Sequence, residues 1–210
     1  AVFVDEKGER VVPEKTGIIF AKDYLSREKG KIVANVSCSM ILEDELSDMG
    51  GEVARVRVGD VFITEAIKNQ KALFGMEISS HFYFPDFYPF DDGVLASVKL
   101  AEILSNSHEA YSQILNRIKS YPSLRESIVC PDRIKFKVVE TMKEKYEKDG
   151  YRIDATDGVR IVTEEGWALV RPSNTEPKIR ITVEARTKPG SERLLSKFKT
   201  DLVHTVNRFA

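Results

Sequence analysis

Apolar residues in the first half of the chain form short runs that alternate with amphipathic stretches. The runs have the length and β-branched content of strands, and the stretches between them have helical spacing. In order, the predicted elements are a strand at 32–36, a helix at 40–49, a strand at 52–58, a helix at 61–69 and a strand at 72–77. Strands that alternate with helices predict an α/β domain with a parallel sheet. Ligands of such sheets bind beyond the carboxyl ends of the strands, which here are residues 37–39, 59–60 and 77–81.

The pattern changes in the second half of the chain. Helical spacing covers residues 132–148 and 191–208, and the apolar runs between them are short. These runs, which we interpret as strands, lie at 151–153, 159–162, 167–171 and 178–186. The order predicts a small α+β domain with an antiparallel sheet. Residues 106–128 are polar, with Ser-rich ends and Pro122, and we interpret them as a linker with some helix.

Three further segments complete the pattern. Residues 1–12 are typical of a hairpin, and residues 15–28 of a short helix. Residues 81–90 form an aromatic-rich loop, in which we favour packing over a base-stacking platform because it contains no Arg or Lys. After it, Asp91 or Asp92 would cap a helix that runs to about residue 104.

Composition excludes several classes of function. The 210 residues include 32 Lys plus Arg against 33 Asp plus Glu, a net charge of -1, so a broad nucleic-acid footprint is not expected. No apolar run reaches the roughly 18 residues of a membrane span, and no signal-peptide layout is present, so we expect no membrane partner. Cys38 and Cys130 are far apart and outside any CxxC motif, which favours a reducing cytoplasm.

The most informative segment is Arg-Pro-Ser-Asn-Thr-Glu-Pro at 171–177. Two prolines bracket a polar loop between two predicted strands and hold it out of the sheet. Arg171 offers a planar fork for phosphate oxygens, and Ser173 and Thr175 offer hydroxyl donors. The composition suits a phosphate monoester, and the alternative is a polar hairpin turn with Asn174 in a left-handed conformation.

A second polar segment, Gly-Met-Glu-Ile-Ser-Ser-His at 75–81, ends the third strand. Period-two spacing would place Glu77, Ser79 and His81 on one face, where they suit sugar hydroxyls or proton transfer by His81. The alternative is a structural histidine. With only three scattered histidines, we expect no metal site.

These segments together resemble the C-terminal half of the α-D-phosphohexomutases, the phosphomannomutase/phosphoglucomutase family. The 171–177 loop is similar to the phosphate-binding loop of the family's last domain, 75–81 to its GEMSGH sugar-recognition loop, and FDDG follows at 90–93. The resemblance implies a remnant of domain 2 at 1–29, an α/β domain 3 at 30–110, a linker at 111–128 and a TATA-binding-like domain 4 at 129–210. An isolated hairpin is marginal in water, so we expect the domain 2 remnant to be exposed and open to self-association.

The resemblance also implies roles for particular residues. Arg171, Ser173, Asn174 and Thr175 would hold the phosphate that is not reacting. The sugar would be contacted by Glu77, Ser79, His81, Gly59 and Asp60, with His81 as a proton relay. The catalytic phosphoserine loop and the Mg²⁺ loop of the family have no counterpart in this sequence. The chain alone is therefore expected to be inert and to bind no cofactor, while the parent enzyme would use Mg²⁺.

The implied reaction moves a phosphoryl group between O1 and O6 of a hexose phosphate through a hexose 1,6-bisphosphate. The aromatic 82–90 stretch favours mannose or glucose phosphates over glucosamine phosphate. Ser37, Asp60 and Ser80 depart from residues common in the family. An alternative function is a stand-alone phosphosugar-binding module or one subunit of a split mutase.

Overall fold

A computed structural model describes residues 1–209, which fall into two compact units that meet between Ser120 and Tyr121 in the sequence. Among the described residues, no helix has both the length and the apolar character needed to cross a bilayer.

The first unit is an α/β unit built on a five-stranded sheet. Its elements are α1 (Pro13–Leu25), β1 (Gly30–Asn35), α2 (Ile41–Leu46), β2 (Gly51–Val56), α3 (Asp60–Gln70), β3 (Phe74–Glu77), β4 (His81–Phe84), β5 (Tyr88–Asp91), α4 (Gly93–Ser105) and α5 (Tyr111–Arg117). The strand order is β2-β1-β3-β4-β5. Strands β1, β2 and β3 are parallel, which confirms the predicted parallel sheet, whereas β4 and β5 add antiparallel strands at one edge.

The aromatic stretch at 81–90 is therefore not a loop, as the sequence predicted, but the β4–β5 hairpin. Phe82 and Phe84 are buried against Phe20 of α1, with ring centroids 5.3 Å and 5.1 Å away. Tyr83 is buried on a cluster that includes Ile63 of α3. Because both faces of β4 are covered, its apolar residues form a continuous run without alternation. The packing interpretation is confirmed for these three residues, whereas Phe87, Tyr88 and Phe90 are exposed.

Residues 1–12 are anchored to the first unit. One bridge joins Val4 to Arg10, and the Phe3 ring contacts Phe82 at a centroid distance of 6.0 Å. The ammonium of Ala1 donates to the Ser80 carbonyl at 2.7 Å. The segment thus packs on the unit through Phe3, through the buried Val11 and through the Glu6 carboxylate, which accepts hydrogen bonds from Ser112. The expected exposure is wrong for these side chains, while Val4 on the same segment remains exposed.

The second unit is α+β, as predicted. It comprises β6 (Ser123–Val129), α6 (Asp132–Lys148), β7 (Arg152–Asp154), β8 (Val159–Val162), β9 (Gly166–Pro172), β10 (Lys178–Ala185) and α7 (Lys188–Phe209). The antiparallel sheet has the order β6-β10-β9-β8-β7, and α6 and α7 bury its apolar face. The segment 106–128 contains α5 and most of β6 where the sequence predicted a linker.

Candidate functional site

Glu77 connects the carboxyl ends of the three parallel strands. Its Oε1 accepts hydrogen bonds from Asn35 Nδ2 at the end of β1 (3.0 Å) and from the backbone N–H of Gly59 after β2 (2.9 Å). Only 4% of Glu77 is exposed. Gly59 has φ +134°, which L side chains rarely adopt, and it directly precedes Asp60 at the start of α3. The strand ends converge, as expected for a parallel sheet.

The loop after β1 is held by Arg55, which the sequence did not single out. Its guanidinium donates to the carbonyls of Asn35, Cys38 and Ser39 at 2.8 to 3.1 Å. It also forms a bidentate pair with Glu43, at 2.6 and 2.9 Å. A planar guanidinium with five donors suits this task, and it fixes the loop that directly follows Asn35, the residue that contacts Glu77.

The turn at 77–81 does not have the predicted period-two geometry. Strand β3 ends at Glu77 and β4 starts at His81, and these residues are antiparallel partners. Ser80 lies between them with φ +68°, and its N–H donates to the Glu77 carbonyl at 3.1 Å. Directly opposed residues share a face, so Glu77 and His81 remain neighbours, whereas Ser79 is exposed in the turn. Ser80 occupies a left-handed position of the kind that favours the glycine of GEMSGH.

Asp91 and Asp92 have different roles. Asp92 caps α4 by accepting from Val94 N and Leu95 N at 2.8 and 3.0 Å, so capping is confirmed for this residue. Asp91 Oδ2 lies 2.5 Å from His81 Nδ1 instead, and its Oδ1 accepts from a backbone N–H of β4 at 3.0 Å. A carboxylate on one ring nitrogen orients the imidazole and leaves the other nitrogen for a substrate.

The Tyr83 hydroxyl lies beside these acids. It is buried and has no hydrogen-bond partner within residues 1–209. Burial, followed by the charges of Glu77, Asp60 and Asp91, raises the pKa of Tyr83 well above its ordinary value. The hydroxyl therefore stays protonated and is available as a neutral hydrogen-bonding group.

In the second unit, the predicted phosphate loop connects β9 and β10 and spans residues 173–177. The N–H of Ser173 donates to the Lys178 carbonyl at 2.9 Å, which closes the loop. The Ser173 hydroxyl is buried and has no partner in the part of the chain that the structure describes, and only 3% of the residue is exposed. Asn174 and Thr175 are exposed, and neither their backbone N–H groups nor their side chains have a partner in the described part of the chain.

The approach to this loop is shaped by Gly158 in the β7–β8 turn. Its φ is +78°, and a Cβ atom would lie 2.4 Å from the Val170 carbonyl oxygen and 3.0 Å from Arg171 Cα. The glycine lets Asp157 reach Arg171, whose Nε lies 3.4 Å from Asp157 Oδ2. The carboxylate thus holds the guanidinium at the base of the loop.

Two more charged residues border the loop. Lys135 of α6 is buried, and its Nζ donates to the Ser173 carbonyl and to Asp132 Oδ1, both at 2.6 Å. Glu176 pairs with Lys178 at 2.7 Å and with Arg180 at 3.0 Å, and their hydrogen bonds lower its pKa. Sequence reasoning did not find Lys135, since a lysine in a helix is ordinarily solvated.

The described residues do not fit a metal site. No group of three or more His, Cys, Asp or Glu side chains among residues 1–209 is arranged to hold an ion. Both thiols are buried, and burial raises the pKa of Cys38 and of Cys130.

Comparisons with known proteins agree with this architecture. The family model for "Phosphoglucomutase/phosphomannomutase, alpha/beta/alpha domain III" matches residues 12–121, and the model for the C-terminal domain matches residues 129–200. A probable phosphoglucosamine mutase of Methanopyrus kandleri is 36% identical over 94% of this chain. The phosphoglucosamine mutase of Methanocaldococcus jannaschii is 37% identical over 93%. The chain spans 44% of the length of each relative.

Solved structures show the same fold. A phosphoglucomutase/phosphomannomutase family protein from Burkholderia thailandensis matches with a TM-score of 0.87 and 26% identity, over 97% of this chain and 44% of that one. An N-acetylphosphoglucosamine mutase from Aspergillus fumigatus, in complex with GlcNAc-6P and magnesium, matches with a TM-score of 0.68. At 11% identity, over 96% of this chain and 49% of that one, this second match shows the fold alone. With both domain models matched in order, the chain belongs to the phosphoglucomutase/phosphomannomutase family.

Proposed function

We propose that this chain supplies the sugar- and phosphate-binding half of a phosphohexomutase. The enzyme would move a phosphoryl group between O1 and O6 of a hexose phosphate through a hexose 1,6-bisphosphate. The observation that carries the proposal is the buried Ser173 hydroxyl, which has no partner among residues 1–209. It lies in a loop whose Asn174 and Thr175 N–H groups are also unpaired within those residues. Buried polar groups are nearly always satisfied, so an orphaned hydroxyl beside Arg171 favours an anionic ligand.

The loop suits the phosphate that does not react. The Arg171 guanidinium, which pairs with Asp157, offers planar donors for phosphate oxygens. The hydroxyls and backbone N–H groups of the loop are further donors. All of these groups are suited to phosphate oxygens, and none is specific for the sugar ring. Such a site can therefore hold either the O1 or the O6 phosphate, as a mutase needs when its bisphosphate turns over.

In the first unit, Glu77 and Ser79 would bind sugar hydroxyls, with Gly59 and Asp60 at the neighbouring strand end. His81 would serve as the proton relay. Its Nδ1 is held by Asp91 at 2.5 Å, so Nε2 is the atom left to face a sugar hydroxyl. The imidazole is partly exposed, as a relay must be.

The described residues contain no arrangement that holds a metal, so no step of the reaction is assigned to a metal in this chain. A phosphoserine and a magnesium ion, which the resemblance implies for the rest of the enzyme, would supply the phosphoryl-transfer chemistry. The loop and the strand ends described above would bind and orient the sugar phosphate for that chemistry.

The sugar is proposed from the relatives. Phe82 and Phe84 of the aromatic stretch are core residues, so these two side chains do not contribute to the choice of sugar. The two curated relatives are named phosphoglucosamine mutases. We therefore place glucosamine phosphate first among the hexose phosphates, ahead of the mannose and glucose phosphates.

The test is calorimetric binding of glucosamine 6-phosphate, glucose 6-phosphate and mannose 6-phosphate to the 210-residue chain. Arg171→Gln should weaken binding by about 10- to 100-fold, because a hydrogen bond to a charged group contributes roughly 1.5–3 kcal/mol. Arg152→Gln, the same change at an exposed position of β7, is the control and should bind as the wild type does. Equal binding by both variants, or no binding by the wild type, would refute the proposal.

A further inference from the structure

Lys135 is a lysine that the fold has buried next to the phosphate loop. Its side chain is only 6% exposed, although ammonium groups are rarely buried because desolvation is costly. Its Nζ donates to the carbonyl of Ser173 at 2.6 Å, across 38 positions of sequence. The second acceptor, Asp132, keeps 67% of its side chain exposed. The buried ammonium is thus held by a hydrogen bond to a backbone carbonyl of the loop.

This contact determines the orientation of one peptide group. In a planar trans peptide, the C=O and the following N–H point in opposite directions, and the described chain has no cis peptide bond. The Ser173 carbonyl points at Lys135, so the N–H of Asn174 points away from it. That N–H has no partner among residues 1–209, and Asn174 is exposed.

The other side of Ser173 is fixed as well. Its N–H donates to the Lys178 carbonyl at 2.9 Å. With the N–H bonded to β10 and the carbonyl bonded to Lys135, the backbone on both sides of the buried hydroxyl is set before any ligand arrives. Donors that are oriented in advance lose less conformational entropy when an anion binds.

We propose that Lys135 is a positioning residue for phosphate binding. By bonding the Ser173 carbonyl, it orients the Ser173–Asn174 peptide so that the Asn174 N–H faces the anion. The inference rests on the proposed function of the loop. The ammonium also places a positive charge beside the loop, where it forms an ion pair with the Asp132 carboxylate at 2.6 Å. Lys135 lies outside the 171–177 motif, and its role depends on α6 packing beside that loop.

The experiment is a titration of the ¹⁵N-labelled chain with inorganic phosphate and with glucosamine 6-phosphate, followed by amide NMR. Lys135→Met keeps the length of the side chain and removes the charge and the donors. Lys148→Met is the matched control, because Lys148 lies on the same helix, is exposed and has no partner in the described residues. Folding is checked by the fluorescence of Trp167, and Lys135→Gln is the second variant if the methionine variant does not fold.

We expect the wild type and Lys148→Met to bind alike, with a downfield shift of the Asn174 amide. Lys135→Met should bind phosphate at least tenfold more weakly and lose that shift. Binding within twofold of the wild type, or weaker binding that keeps the Asn174 shift, would overturn the positioning role while the proposed function stands. If the wild type shows no shift in the loop with either probe, both the proposed function and the role of Lys135 are refuted.

Discussion

Replacing Ser173 with alanine should stabilise the second unit when no anion is present. The hydroxyl is buried, has no partner within residues 1–209 and belongs to a residue that is 3% exposed. Burying a hydroxyl without a hydrogen bond costs about 1–3 kcal/mol in protein mutational data. Since the substitution removes only one atom and leaves a small void, we expect a gain near the lower end, about 1 kcal/mol. For a unit of this size that corresponds to roughly 4–8 °C in Tm.

Phosphate should reverse this order. The ligand at 100 times its Kd stabilises the wild type by about 2.7 kcal/mol. If Ser173→Ala loses one hydrogen bond to the anion, its Kd rises at least about tenfold, and the same phosphate concentration stabilises the variant by only about 1.4 kcal/mol. The difference of about 1.3 kcal/mol exceeds the intrinsic gain of the variant, so the wild type becomes the more stable protein.

The assay is urea unfolding followed by the fluorescence of Trp167, the single tryptophan, which is 2% exposed on β9 and therefore reports on the second unit. Ser191→Ala is the control, because that buried hydroxyl donates to the Lys188 carbonyl at 2.9 Å. The control should lose about 1 kcal/mol. If Ser173→Ala loses stability without phosphate as the control does, the hydroxyl has a partner inside the protein and the reasoning is refuted.

Three further predictions concern other parts of the molecule. Gly158→Ala should destabilise the second unit by about 1–3 kcal/mol in the same unfolding assay, because a Cβ would lie 2.4 Å from the Val170 carbonyl oxygen at φ +78°; unchanged stability would contradict this. Both Cys38 and Cys130 should resist a thiol reagent at pH 8 and react only in urea, since burial raises the pKa of each thiol; labelling of the native protein would contradict this. Burial would raise the pKa of Asp201, but hydrogen bonds from Lys145 and Tyr146 outweigh burial and lower the pKa below its ordinary value of about 3.9. The carboxylate therefore stabilises the folded protein above a pH of about 3.9, and this stabilisation is lost as the pH falls through the lowered pKa. Asp201→Asn should therefore flatten the acid limb of a stability-versus-pH curve, and an unchanged limb would rule this out.

Much of the fold could be predicted from the sequence because most elements have clear periodicity. The parallel strands β1 to β3 and the helix Asp132–Lys148 are examples. Strand β4 was missed because its aromatic residues are buried on both faces and show no alternation. Strand β6 was missed because it is polar rather than apolar. Its exposed Ser123, Arg125 and Ser127 give it the composition of a linker.

The site was predicted as two segments but not as a set of contacts. Composition indicated the 171–177 loop and the Glu77 turn as candidates, because prolines, hydroxyls and charges are local features. The period-two expectation failed at Ser80, whose left-handed backbone makes a hairpin. Arg55, Asp91 and Lys135 act across 17, 10 and 38 positions, respectively, so their roles follow from packing that no local pattern encodes.

The most direct test of the central claim is a crystal structure of the 210-residue chain soaked with glucosamine 6-phosphate. The account predicts the phosphate in the 173–177 loop, with an oxygen within hydrogen-bond distance of Ser173 Oγ, the Asn174 N–H and the Arg171 guanidinium. A structure with the loop empty at saturating ligand, or with the phosphate bound elsewhere on the chain, would contradict it.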